Sequence, residues 1–240
     1  MAFKTFFAGS NELRRRAVVV SLCYPEPGTI GSLLAGTLGE LDTARLQKIV
    51  ADQVLRQVLP VGDEFTCFVH YRPRDRRAQI ERWLHWAFRR AHFSPCSDAP
   101  GAEFVAHDFE FAFGHGADRV VRVSSSCLDL DRETIERVFP ARDSCEAIVG
   151  PSGDESAYLV GLRRPQNGLF DGLPWNEPGA FPALLERLES IGIDFEVLPD
   201  ALDVNSILDL SEIPAERWTR FQPALKEQLR MIGFGYLVNS

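Results

Sequence analysis

Ala17-Val18-Val19-Val20-Ser21-Leu22, followed by Tyr24-Pro25-Glu26-Pro27-Gly28, is the stretch on which the fold reading turns. A short β-branched apolar run closed by a turn cluster predicts a buried strand followed by a loop. Leu46, Ile49, Val50, Val54, Leu55 and Val58 then recur at helical spacing and predict a helix over 41–59. Phe65-Thr66-Cys67-Phe68-Val69-His70 reads as a second strand. Beyond it, helices are expected over 73–92, 104–114, 131–139 and 182–190, and strands over 119–123, 146–150, 158–162 and 195–198. A final helix over 215–232 is expected to be interrupted near Pro223.

This alternation predicts βαβ units, a mainly parallel sheet and, because such crossovers are right-handed, helices on both sheet faces. No internal repeat or low-complexity linker divides the chain, so residues 1–240 read as one domain, with 211–240 a C-terminal helical extension. Ligands of open α/β sheets bind beyond the carboxyl ends of the strands, which singles out the loops after Leu22, Val123, Gly150 and Leu198.

Composition narrows the function classes. With 45% hydrophobic and 25% charged residues over 240 positions, the chain can bury a full core without metal or disulfide staples. A net charge of -8 argues against a general nucleic-acid binder, although a local basic pocket can still hold a small anion. Cys23, Cys67, Cys96, Cys127 and Cys145 are odd in number and form no CxxC pair, so free thiols in a reducing cytosol are expected. No segment has the length and apolarity of a signal peptide or a membrane span, and a cytoplasmic protein is expected.

Three further segments carry a pattern. They are Ala147-Ile148-Val149-Gly150-Pro151 running on to Asp154, Leu169-Phe170-Asp171-Gly172-Leu173-Pro174-Trp175, and Asp203-Val204-Asn205 with Asp209-Leu210. In this order the chain resembles the GT-A-type nucleotide-diphospho-sugar transferases, in particular the bacterial radical-SAM/selenodomain-associated transferases. A guanylyltransferase that activates phospholactate is a more distant relative. The resemblance runs from about Ala17 to Leu210; the extension beyond it has no counterpart. It implies a single Rossmann-like GT-A domain of three α/β/α layers that binds a nucleotide-sugar or nucleoside diphosphate with Mg or Mn. It places nucleotide contacts at Tyr24, Pro25, Gly28, Gly31, Ser32 and Ser126, substrate contacts at Trp175 and Asp129, a catalytic carboxylate at Asp154 and a metal ligand at Asp203.

The departures from that pattern fall on charge. Gly31 and Leu33 stand where the family has a lysine and an arginine, Ser126 where it has an aspartate, and Asn205 where it has a second aspartate. Each lost charge-assisted bond to phosphate removes about 1.5–3 kcal/mol. A catalytically degenerate ligand- or protein-binding domain is therefore the alternative to a transferase, with the extension as a homodimer or partner surface. Bland readings stand beside the functional ones. Asp203 also suits a helix N-cap, Asp154 a turn, and Trp175 a cover for the sheet edge. The stretch from Phe104 to His115 reads as core packing on one face and solvent on the other.

Overall fold

The computed structural model describes residues 15–28, 32–96, 101–139, 145–153, 156–175, 177, 179–204, 210–211, 213, 215–221, 223–233 and 235. Its strands are β1 (Arg16–Cys23), β2 (Thr66–Arg72), β3 (His92–Pro95), β4 (Arg119–Ser124), β5 (Ala147–Pro151), β6 (Ala157–Leu162) and β7 (Phe195–Val197). They form one sheet in the order β3-β2-β1-β4-β6-β5-β7. β1 pairs in parallel with β2 and β4, β2 with β3, and β5 with β7, while β6 runs antiparallel to both β4 and β5. The sheet is thus mostly parallel, as the alternation of elements predicts.

The helices are α1 (Ser32–Leu38), α2 (Glu40–Val58), α3 (Arg77–Trp83), α4 (Glu103–Gly114), α5 (Arg132–Val138), α6 (Ala180–Ser190) and α7 (Pro223–Met231). Two apolar clusters form, one on each sheet face. Leu46, Val54, Ile80, Ile135, Leu225 and Leu229 pack over Val18, Val20 and Val69 on one side. Phe104, Val105, Phe109, Leu184 and Leu188 pack over Ala17, Val19 and Val120 on the other. The two-residue period of β1 explains this: alternate valines face opposite layers, and both layers are dry. The result is helix, sheet and helix in three layers.

Two local expectations are corrected. The helix expected over 73–92 is a 3-10 turn at Arg74–Arg76, then α3, then turns. The chain next forms the edge strand β3, which periodicity did not show, because His92-Phe93-Ser94-Pro95 lacks the β-branched run of the other strands. The loop after Gly28 leads into α1, a helix not expected from the sequence. The break near Pro223 is present: a 3-10 segment, Ala215–Arg220, precedes α7, which Pro223 opens. Gly150 permits one close approach, since a Cβ there would lie 2.5 Å from the Tyr158 ring.

Candidate functional site

Because β1, β2, β4 and β5 run the same way, the loops leaving them share one rim of the sheet. The Tyr24–Gly28 loop starts by donating the Tyr24 N–H to the Arg72 carbonyl at the end of β2, at 2.7 Å. Tyr24 lies edge-on to Trp83 with centroids 6.2 Å apart, and the Lys48 ammonium sits over both rings. Burial pushes the Lys48 pKa down. Pro25 is buried, and Arg76 pairs with Glu26. Gly28 takes φ +81°, a left-handed turn that a side chain would strain. Gly31 lies outside the described residues, and Ser32 is described only as the first residue of α1.

The loop after β4 is tied to the segment after β7. Cys127 and Asp203 form an antiparallel bridge, the Val204 N–H donates to the Ser126 carbonyl at 3.0 Å, and the Leu128 N–H donates to the Leu202 carbonyl. Ser126 and Asp203, about 75 residues apart in sequence, therefore sit on neighbouring backbone. The Ser126 hydroxyl is 2.7 Å from that of Ser124. Asp129 accepts the Leu202 N–H at 3.1 Å. It also lines a cleft of about 420 Å³ with Thr134, Arg137, Tyr158, Glu196 and Asp200. That volume suits a small ligand. Asp129, Glu196 and Asp200 against Arg137 make the cleft better suited to hydroxyls than to phosphate. Asp154 lies outside the described residues.

Beneath the rim, on the α4 side, is a buried polar network. Arg122 of β4 and Asp108 of α4 are 4% and 0% exposed. The Arg122 Nε donates to Ser21 Oγ at 3.0 Å and lies 3.5 Å from Asp108 Oδ2. Ser21 in turn donates to Asp108, and His70 Nδ1 donates to Asp108 Oδ1 at 2.7 Å. Burial pushes the Arg122 pKa down, and the charges of Asp108 and Asp203 oppose that shift. Burial also pushes the Asp108 carboxyl up, but the His70 hydrogen bond, the charges of His70 and Arg122, and the Ser21 hydroxyl outweigh it and hold it below the usual carboxylate range. Trp175 is buried edge-on against Phe170, with the Arg122 guanidinium 5.2 Å from its ring centroid.

Arg72 completes this arrangement. Its guanidinium lies 4.2 Å from the Phe104 ring centroid, and Arg122 lies 5.3 Å from the same ring. The two cations are close enough for Arg72 to push the Arg122 pKa down. Arg122 is matched by Asp108, whereas Arg72 forms no ion pair with any carboxylate among the described residues. In the sequence the basic run Arg72 to Arg77 reads as a surface for phosphate or an acidic partner or, more usually, as a solvated helix face, and Arg122 carries no reading at all, so the pairing of the two does not show. The signal available was an arginine ending one strand and another inside a strand otherwise made of valines.

The donors described around Asp203 fit Mg or Mn incompletely. A hard cation of this kind takes about six oxygens. Here Ser126 is neutral, Asp129 accepts a backbone N–H, and the Asp203 carboxylate is 8% exposed beside the field of Arg122. Among the described residues no helix is long and apolar enough to cross a membrane.

A family model described as "Uncharacterized protein conserved in bacteria (DUF2064)" matches residues 57–177. No curated protein matches the chain. Among solved structures, a protein of Desulfovibrio desulfuricans G20, provisionally named a nucleotide-diphospho-sugar transferase, is similar at a TM-score of 0.78 and 23% identity. That match covers 91% of this chain and 96% of that one. A nucleotidyl transferase of Methanothermobacter thermautotrophicus is similar at a TM-score of 0.55 and 17% identity, over 84% and 98% of the two chains. These likenesses establish an α/β fold of the GT-A type.

Proposed function

The chain belongs to this bacterial DUF2064 family, and from that premise we propose that it is a nucleotide-diphospho-sugar transferase whose phosphate charge is supplied by strand arginines. The observation that carries this reading is the Arg72 guanidinium on Phe104, which has no carboxylate partner among the described residues, at the end of β2 and bonded through its backbone to the Tyr24 loop. Arg72 stands in for the charges missing at Gly31 and Leu33. The nucleotide lies along Tyr24, Pro25, Gly28, Gly31, Ser32 and Ser126, with its diphosphate toward Arg72. Trp175 supports the donor side from below by packing against the Arg122 guanidinium. The acceptor occupies the acidic cleft beside Asp129.

In the reaction an acceptor hydroxyl oxygen attacks the anomeric carbon. The bond from that carbon to the phosphate oxygen breaks, its electron pair leaves with the nucleoside diphosphate, and the hydroxyl proton passes to a carboxylate, Asp154 or Asp129. Arg72 and backbone N–H groups stabilise the developing charge on the diphosphate. Mg or Mn at Asp203 would add to that stabilisation; since the described donors fit it incompletely, no step depends on it here. The proximity of Asp203 to Arg122 favours a second reading, a domain that binds the nucleotide-sugar without turnover. A partner or homodimer surface on the extension would rest on residues such as the exposed Met231, because α7 buries Leu225 and Leu229 within the chain.

Calorimetry with UDP, GDP, CDP and their sugars, with and without manganese, tests the proposal. Binding to one of these nucleotides is expected, weakened about 10- to 100-fold by Arg72→Ala, the loss of one charge-assisted bond. Absence of binding across the panel, or affinity unchanged in Arg72→Ala, would overturn it. Binding with no sugar transfer to any acceptor supports the second reading.

A further inference from the structure

We propose that His70, Cys96 and His107 form a binding site for one borderline-soft divalent cation, zinc, joining β2, β3 and α4. One donor atom of each residue lies within 4.8 Å of the other two. Nothing in the transferase reading uses them. His70 lies inside β2, Cys96 immediately follows β3, and His107 lies on α4 one residue before Asp108, so the fold brings together three positions far apart in sequence.

The chemistry of each donor fits. His70 is 1% exposed, and Asp108 holds its Nδ1–H. In the neutral ring, the form that a metal would bind, this leaves the lone pair on Nε2, which has no hydrogen-bond partner among the described residues. A buried imidazole with a carboxylate behind one nitrogen and nothing on the other has the form of a metal-ligating histidine with its outer-shell partner. Leaving such an acceptor dry is unfavourable, so the fold has a reason to place something there. The Cys96 thiol donates to Asp108 Oδ1 at 3.3 Å and lies 3.8 Å from His107 Nδ1. Tetrahedral zinc, with bonds of 2.0–2.3 Å, sets its donors about 3.3–3.8 Å apart, so the Cys96–His107 pair already has the required spacing. The 4.8 Å limit holds for the thiol and one nitrogen of each histidine, so binding through His70 Nε2 draws the three side chains together by about 1 Å or more.

A thiolate with two imidazoles selects zinc over Mg or Mn, which prefer oxygen. Zinc forms a bond to Cys96 Sγ as the thiol proton leaves to solvent, relieving Asp108 of that donor while His70 stays bonded to it. His107 is half-buried and gives the route of entry. The fourth position is open to water or an oxygen of Asp108. Such a site clamps the four-residue edge strand β3, which is otherwise tied to the sheet only through β2.

The test uses the full chain, stripped with chelator and dialysed. Titration with cobalt is expected to give one equivalent of binding with a thiolate-to-cobalt charge-transfer band, which zinc bleaches. Cys96→Ser is expected to remove the band, and His107→Gln to weaken zinc binding at least about tenfold. A hundredfold excess of zinc over its Kd is expected to raise the melting temperature by about 5–10 °C. The absence of a charge-transfer band in the wild-type protein overturns the proposal whatever the variants do. So does a band that persists in Cys96→Ser and is lost in Cys23→Ser, the exposed thiol. Nucleotide binding is scored separately, and its failure leaves the cobalt result standing.

Discussion

Replacing Arg122 by methionine tests the buried network most directly. The substitution keeps most of the side-chain volume and removes the cation that Asp108 and Asp203 both face. Both carboxylates are almost fully shielded from water, at 0% and 8% exposed. Breaking a buried pair in this way destabilises by about 3–5 kcal/mol, because one charge is left behind. For a chain of this size each kcal/mol moves the melting temperature by about 2–4 °C, so a drop of about 6–20 °C is expected. Asp108→Asn should be harmful for the same reason. The decisive measurement is the urea denaturation of both single variants and the double variant. In the double variant the stranded charge of Asp108 is gone and only that of Asp203 remains, so its loss should fall short of the sum of the two by about 1–3 kcal/mol. Additivity within about 0.5 kcal/mol, or a cost below about 1 kcal/mol for Arg122→Met alone, would refute the claim that these groups form one electrostatic unit.

Other consequences are as concrete. Gly150→Ala places a Cβ 2.5 Å from the buried Tyr158 ring, which must move and give up its hydrogen bond to the Pro199 carbonyl; a loss of about 1–3 kcal/mol is expected in thermal melts. The depressed pKa of Asp108 adds stability that is present above the unfolded carboxylate value, about 3.9, and is lost as pH falls through the lower folded value. Asp108→Asn should therefore flatten the acid limb of a stability–pH curve; an unchanged limb argues against the assignment. Among the cysteines only Cys23 is exposed, and burial pushes Cys67 up to about 12. One fast-reacting thiol is therefore expected in the native protein at mild alkaline pH, and Cys23→Ser should abolish it.

Most of the sheet was legible because its strands announce themselves. The valine-rich runs at Val18–Val20 and Val120–Val123 admit few other uses, and the apolar spacing of 41–59 gives α2 to within a residue or two. β3 was hidden because a short edge strand needs no β-branched run, and the arginine-rich stretch before it has a helical spacing of its own. The rim loops were legible as places, through the rule for strand ends, but not as chemistry. Asp203 was singled out from sequence; the cation beside it was not, because Arg122 reads as one charge in an apolar strand. The Asp108 cluster joins residues from four elements, β1, β2, β4 and α4, that periodicity treats separately. A trace of it was present: Asp108 stands on the same helix stripe as Phe104 and Phe109, where an acid is out of place unless something buried answers it.

The bridge between Cys127 and Asp203 has a consequence for assembly during synthesis. The loop after β4 leaves the ribosome well before the segment that completes it, with about 75 residues still to be added, a delay of about 4–15 s at ordinary elongation rates. For that interval the β1–β4 portion of the sheet can form while its rim remains unfinished, and a nascent chain has no closed cleft there in which to trap a small ligand. Competence at this rim arrives only with the last strand and the residues just beyond it.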